Sequence, residues 1–264
     1  MDVEEVVRFT MNSPTIVVPE NAALTGGTPE NFVQVGCDVF RSLVVAGGLK
    51  QTDRVLEIGS GLGRVAYPLT RYLKSPGSYI GLEIVKDSVD FCNRHVACLY
   101  KLFSFRHLDL FNEFYNANGQ LALTDTAINF EDAEFDFIFM SSVLTHLEYS
   151  DLVYYMTNSA KWLRRGGRLW ATMFLVDVAA ENALADARTQ PSTAAGTLRF
   201  DLSGDGPDYF LMGKRSTVAV AYRLPFIESL LQRCGYRLVD LGLGQWSGAD
   251  RVGGYQDLLV LERL

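Results

Sequence analysis

The chain has 264 residues, 48% of them hydrophobic, which suffices for the buried core of one large domain with elaborations. Its formal net charge of −7 argues against a broad phosphate-binding surface, so DNA and RNA are not expected partners. Cys37, Cys92, Cys98 and Cys234 are scattered, without a C-x-x-C pair or histidines at metal-site spacing, so neither a metal nor a disulfide framework is expected.

The start, Met1-Asp2-Val3-Glu4-Glu5, lacks the basic residues and apolar core of a signal peptide. No apolar run approaches the roughly 18 residues of a membrane span, so a soluble, cytoplasmic protein is expected. Residues 1 to about 30 show no clear period. We read 1–34 as a lead-in arm or lid and 35–264 as the domain proper.

A helix is expected over Pro29 to Val45, where Phe32, Val33, Val35, Phe40, Leu43 and Val44 share a broad face and Gly47-Gly48 ends it. The run Arg54 to Ile58 then reads as a buried strand that carries Glu57 and opens into Gly59-Ser60-Gly61-Leu62-Gly63-Arg64. Glycines at 59, 61 and 63 let the backbone turn sharply and approach a ligand closely, and the helix that follows offers unpaired N–H groups at its start. A dinucleotide-binding turn would read G-x-G-x-x-G, and here Arg64 stands in the third glycine's place. Arg64 to Leu73 looks helical, with Pro68 kinking the helix or delaying its start.

Tyr79 to Glu83 reads as a second buried strand ending in a carboxylate, which can accept from both hydroxyls of a ribose. A helix over Ser88 to Leu102 and a strand over Phe103 to Asp109 follow, then a polar loop through Tyr115-Asn116-Ala117-Asn118-Gly119 and a strand at Phe135 to Met140. The next helix spans Asp151 to Arg164, closed by Gly166-Gly167, before a strand at Arg168 to Phe174. From 178 to 221 the periodicity is weak over a length too great for an ordinary connection, which marks a functional insertion. Pro225 opens a helix to Cys234, Gly235 ends it, and two strands, Tyr236 to Leu243 and Gln256 to Glu262, complete the chain. Alternating strands and helices imply an α/β fold with a doubly wound, mostly parallel seven-stranded sheet, helices on both faces and an antiparallel last strand.

The spacing E-x-G-x-G-x-G over 57–63 resembles motif I of the class I S-adenosylmethionine-dependent methyltransferases. G-L-E at 81–83, H-L-D-L at 107–110, F-D-F-I-F at 135–139 and L-R-R-G-G-R at 163–168 follow in the order of that family. Over roughly residues 35 to 264 the resemblance covers the whole Rossmann-like domain. S-S-V-L-T-H-L at 141–147 and the closing G-Y-Q-D-L-L-V-L look like a bacterial subgroup associated with sugar or cell-surface polymer pathways. What the resemblance implies is S-adenosyl-L-methionine as cofactor and a small-molecule or glycan acceptor. Glu57 and the backbone of Gly59, Ser60, Gly61 and Gly63 would hold its methionine end, Glu83 its ribose and Ile84 its adenine ring. Asp109 would meet the adenine amino group with Leu110 beside it, and Ser141 would line the sulfonium.

Alternatives stay open at several of these positions. Asp109 could simply cap the next turn. Arg64 either reaches the cofactor carboxylate or faces water on the first helical turn. His146 is a candidate general base, since imidazole titrates near neutrality, or a residue that fixes its loop. Tyr209 to Met212 and Trp246 either wall an acceptor pocket or pack as plain core, and the Asn116–Asn118 loop reads as a turn. A nicotinamide-dependent oxidoreductase and a cofactor-binding assembly subunit without chemistry remain the rival functions.

Overall fold

In the computed structural model β1 (Arg54–Ile58), β2 (Ser78–Glu83) and β4 (Phe135–Met140), in the interior of the sheet, are short runs buried along nearly their whole length, as strands covered on both faces must be, whereas β3 (Phe103–His107) is an edge strand with Arg106 exposed. β1 pairs in parallel with β2 and with β4, and β2 pairs in parallel with β3. The structure describes residues 1–13, 17, 28–123, 128–187, 200–201, 209–212 and 219–264, leaving aside the side chains of 201 and 209–212. With β5 (Leu163–Met173), β10 (Tyr236–Gly242) and β11 (Asp257–Arg263) the sheet has seven strands in the order β10-β11-β5-β4-β1-β2-β3. The last strand, β11, runs antiparallel to both its neighbours, as expected.

The chain divides into two compact units, the first holding residues 1–122 and 133–139. Its N-terminus departs from the aperiodic arm read from the sequence, because Val3–Met11 forms a helix, α1. Asp2 caps it: the Asp2 Oδ1 accepts from Glu5 N at 2.8 Å and the Glu5 carboxylate accepts from Asp2 N at 3.1 Å, a reciprocal pair that satisfies two helix-end donors. Val6, Val7 and Thr10 are buried, and Arg41 of α2 (Phe32–Val45) grips Glu4 with two bonds of 2.8 and 3.0 Å. Nine residues with three buried positions are too few to show a period. The rest of the proposed arm, 14–16 and 18–27, lies outside the described residues. α3 (Ala66–Tyr72) starts two residues after Arg64 and takes Pro68 in its first turn, where the missing N–H costs little. α4 (Lys86–Cys92) passes into a π-helical turn at Asn93–Ala97 instead of running on to Leu102.

The second unit holds residues 123–132 and 140–264. α5 (Tyr149–Trp162) is followed at once by extended backbone at Leu163, so Gly166 and Gly167 lie inside β5 and do not close the helix. The stretch read as an insertion contains α6 (Val178–Ala187), β7 (Phe200–Asp201) and β8 (Tyr209–Met212). With β6 (Leu175–Val176) and β9 (Val220–Arg223) it builds a four-stranded sheet in the order β6-β9-β8-β7. Residues 188–199, 202–208 and 213–218 of that stretch lie outside the described residues. α7 (Leu224–Arg233) carries Pro225 in its first turn and ends before Gly235 at φ 77°, as the sequence suggests.

Phe174, Val176, Ala180, Leu184, Phe200 and Trp246 pack into one apolar cluster, so Trp246 is core and not an exposed wall. At its edge Asp257 is fully buried and accepts from Leu175 N at 2.5 Å, Gly244 N at 2.6 Å and Trp246 Nε1 at 2.6 Å, with Arg251 Nη1 at 3.7 Å. Arg251 also pairs with Asp177, which caps α6 through Ala180 N at 2.8 Å. Among the described residues no helix is long and apolar enough to cross a membrane, and no group of three metal-ligating side chains occurs. Asp257→Ala would leave three buried N–H donors without their acceptor and remove the buried charge facing Arg251, so urea unfolding should show a loss of about 3–5 kcal/mol. Asp257→Asn, which keeps one acceptor oxygen, should lose less.

Candidate functional site

In the first unit the turn after β1 adopts the left-handed conformations that the glycines were expected to supply: φ is 77° at Gly59, 52° at Gly61 and 76° at Gly63. Leu82 O of β2 accepts from both Gly59 N (2.8 Å) and Ser60 N (2.9 Å), and Gly63 N closes the turn on Ser60 O at 2.9 Å. The Glu83 carboxylate completes the anchorage, its Oε2 accepting from Gly61 N at 2.7 Å and its Oε1 from Ile84 N at 2.7 Å and Val85 N at 2.9 Å. Burial raises the Glu83 pKa, while these three N–H groups and the His107 charge oppose the rise.

Close approach explains Gly81, which the sequence shows only as part of G-L-E, and Gly36. A side-chain carbon on Gly81 would stand 2.7 Å from the Phe105 ring and 2.9 Å from Ser60 Cβ. One on Gly36 of α2 would meet the Arg64 carbonyl group, so that helix packs directly on the end of the turn. Nothing in a single sequence marks either contact, because both arise between elements distant along the chain. Ser60 Oγ is buried beside Gly81 and has no hydrogen-bond partner, an orphan donor of a kind that folded chains seldom retain.

Glu57 lies behind the turn, 2% exposed, with the Tyr79 hydroxyl donating to its Oε2. Burial pushes its pKa up to about 8, although the Tyr79 bond and the Arg64 charge oppose the shift. Arg64 is partly buried on the same side. Desolvation lowers its pKa and the Glu57 charge works against that.

At the far side, Ile84 is half-buried and its carbonyl meets His107 Nε2 at 3.1 Å. β3 stops at His107, two residues short of the expected Asp109, because Leu108 N bonds Glu83 O at 2.9 Å and Leu110 N turns back to Leu108 O at 2.8 Å. Asp109 therefore sits on a bend, half-buried, with Leu110 buried next to it. Tyr115 of the following loop has its hydroxyl pKa raised, first by burial and then by the Glu83 charge. Thus Glu57, the 59–64 turn, Glu83, Ile84, Asp109 and Leu110 all belong to the first unit.

Ser141 and His146 belong to the second. Ser141 is half-buried just past β4, and His146 ends a 3-10 turn at Leu144–His146, its N–H donating to Val143 O at 2.9 Å. Between them Ser142 holds a φ of 60°, uncommon for a residue with a side chain. Its N–H donates to Thr172 Oγ1 at 2.8 Å and its Oγ to Gln256 Oε1 at 3.0 Å. The sequence carries no signal for that conformation.

Residues 56–171 match the methyltransferase domain family. An arsenite methyltransferase of Aquipseudomonas alcaligenes is 26% identical over 153 residues, 58% of this chain, and the match spans only 40% of that relative's length. Among solved structures, a SAM-dependent methyltransferase from Methanosarcina mazei superposes with a TM-score of 0.54 at 17% identity, covering 84% of this chain and 97% of that one. Magnesium protoporphyrin IX methyltransferase from Synechocystis, solved with bound SAH, gives 0.53 at 14% identity over 99% and 94% of the two chains. At these identities the structures attest the fold.

The elevated Glu57 pKa has a stability consequence with a definite sign. Between 4.5 and about 8 the folded chain keeps a proton that the unfolded chain releases, so this group's contribution is full below 4.5 and is lost as pH rises through 8. Glu57→Gln should be less pH-sensitive than the parent in urea unfolding between pH 5 and pH 8. An unchanged pH dependence would mean that Glu57 is ionised in the folded chain throughout.

Proposed function

We propose that the chain, whose residues 56–171 match the methyltransferase domain family, is a class I S-adenosylmethionine-dependent methyltransferase that transfers the sulfonium methyl to oxygen or nitrogen of a small-molecule or sugar acceptor by in-line displacement. The observation that carries the reading is the cradle itself, three left-handed glycines pinned by the Glu83 carboxylate around an unpartnered Ser60 hydroxyl. The acidic balance of the chain favours a small or glycan acceptor over a polyanion.

These residues fit S-adenosylmethionine. The side-chain-free backbone admits close approach, Ser60 has a hydrogen bond to give, and an acid stands at either end. The backbone of Gly59, Ser60, Gly61 and Gly63 would hold the methionine portion, with Glu57 toward its ammonium and Arg64 toward its carboxylate. Glu83 would take the ribose on the lone pairs its three N–H bonds leave free, Ile84 the face of the adenine, and Asp109 the adenine amino group beside Leu110. When bound, the cofactor supplies a methyl group already activated by its positive charge, so the chain's task is mainly orientation. On the second unit we assign Ser141 to the reacting end and His146 to proton removal where the acceptor is a hydroxyl, and 178–221 to covering the acceptor.

Two binding measurements follow. Calorimetry should show S-adenosylmethionine and S-adenosylhomocysteine binding and no uptake of NAD, and Gly61→Val or Glu83→Ala should weaken binding by at least about 100-fold. Undiminished affinity in both folded variants would sink the cradle assignment, and binding without turnover across acceptor classes would favour the non-catalytic subunit. An ammonium arriving beside Glu57 favours the ionised carboxylate, so binding at pH 7 should release a proton. The observed enthalpy should then vary with buffer ionisation heat in the parent and not in Glu57→Gln.

A further inference from the structure

The polar loop after β3 is built around Asp109. Gln120 N and Leu121 N both return to Asp109 O at 3.1 Å, and Phe111 N bonds Leu121 O at 2.8 Å, so the loop begins and ends at the same residue. Within it Asn112 and Asn116 bond each other's main chain at 3.1 and 3.0 Å, and Asn112 Oδ1 accepts from Phe114 N and Tyr115 N at 3.0 Å each. A side chain on Gly119 would stand 2.5 Å from Phe111 N, so the loop closes only around a glycine.

Asn116 is the side chain that this framework aims inward. Its Nδ2 donates to Leu110 O at 2.9 Å and lies 3.3 Å from Asp109 Oδ1. A main-chain carbonyl can only accept, so the amide nitrogen and not the oxygen must face Leu110. The second N–H of that nitrogen is then the one that points at Asp109. One carboxylate oxygen is committed to Asn116, and Oδ2 keeps its lone pairs for an incoming donor.

We propose that Asn116 is a positioning residue for base recognition: by fixing Asp109 Oδ1 it presents Oδ2 as an acceptor for a 6-amino purine and against a 6-oxo purine. The inference rests on the reading of Asp109 as the residue that meets the base. An acceptor fixed in place rewards an exocyclic amino group and repels a carbonyl oxygen at the same position, whereas a freely rotating carboxylate turns away from the mismatch and discriminates less.

The test titrates the full chain calorimetrically with S-adenosylhomocysteine and S-inosylhomocysteine. The parent should prefer the adenosyl ligand by about 100-fold, and Asn116→Ala should lower adenosyl affinity about 10-fold while leaving inosyl affinity nearly unchanged, so that the preference narrows to about 10-fold. Asn116→Asp, of the same shape but without the N–H groups, must narrow it too, which covers the case of a misfolded alanine variant. Equal weakening of both ligands, or an unchanged ratio in both variants, would reduce Asn116 to a loop-folding residue and overturn the inference. A parent that fails to bind S-adenosylhomocysteine would instead overturn the cofactor reading, and an unchanged ratio in Asp109→Ala would overturn the Asp109 assignment together with this one.

Discussion

One carboxylate, Glu83, sets the shape of the turn after β1. The turn after β1 points its N–H groups away from any regular ladder, and such groups are costly when buried without acceptors. Leu82 O takes two of them and Glu83 takes a third from Gly61, together with those of Ile84 and Val85. Bonds to an ionised acceptor are roughly twice as strong as neutral ones, so these three N–H groups oppose, without cancelling, the burial that raises the Glu83 pKa. The glycine turn and the end of β2 are therefore one hydrogen-bonded object, and neither can move without breaking the other's bonds.

Glu57 and Glu83 stand on neighbouring strands and burial raises the pKa of both, but only Glu83 has main-chain donors that oppose the rise. Glu83 faces N–H donors that favour charge, whereas Glu57 is buried with a single Tyr79 hydroxyl and carries a pKa near 8. The pairing explains the difference. Glu57 lies opposite Gly81 and Val55 opposite Tyr79, which sets the phenol beside the Glu57 carboxylate on one face of the sheet. With no side chain on Gly81, the Ser60 hydroxyl settles in that space with nothing to bond.

The features that the sequence discloses are those carried by neighbouring residues. β1, its glycine turn, the start of α3 at Ala66 with Pro68 in its first turn and the Pro225–Gly235 limits of α7 all depend on local dihedral preferences. α1 escaped because nine residues expose too little period, and β7 to β9 because strands of two to four residues carry almost none. The helix-closing role given to Gly166 failed for another reason: α5 already ends at Leu163, whose extended backbone pairs onward as β5. At the site, Glu57, Glu83 and the glycines were legible as types and spacings. The contacts of Gly36 and Gly81 were not, since they are made only when distant segments meet, and the Asn116–Asp109 bond was not, since it depends on how the loop between them closes.

The second unit shows how one strand end can govern two features. Ser142 holds a left-handed backbone that costs a residue with a side chain about 1 kcal/mol, and it stays there because Thr172 of β5 and Gln256 hold its N–H and its hydroxyl. Gln256 directly precedes Asp257, which pairs with Met173 beside Thr172 and ties Leu175, Gly244 and Trp246 together. The bend after β4 and the packing of the 244–256 segment thus share a single anchor at the first residues of β11. Loss of the Asp257 carboxylate would free its own donors and also loosen the neighbour that keeps Ser142 in its unfavourable conformation, so the backbone between Ser141 and His146 depends on a buried acid more than a hundred residues away in sequence.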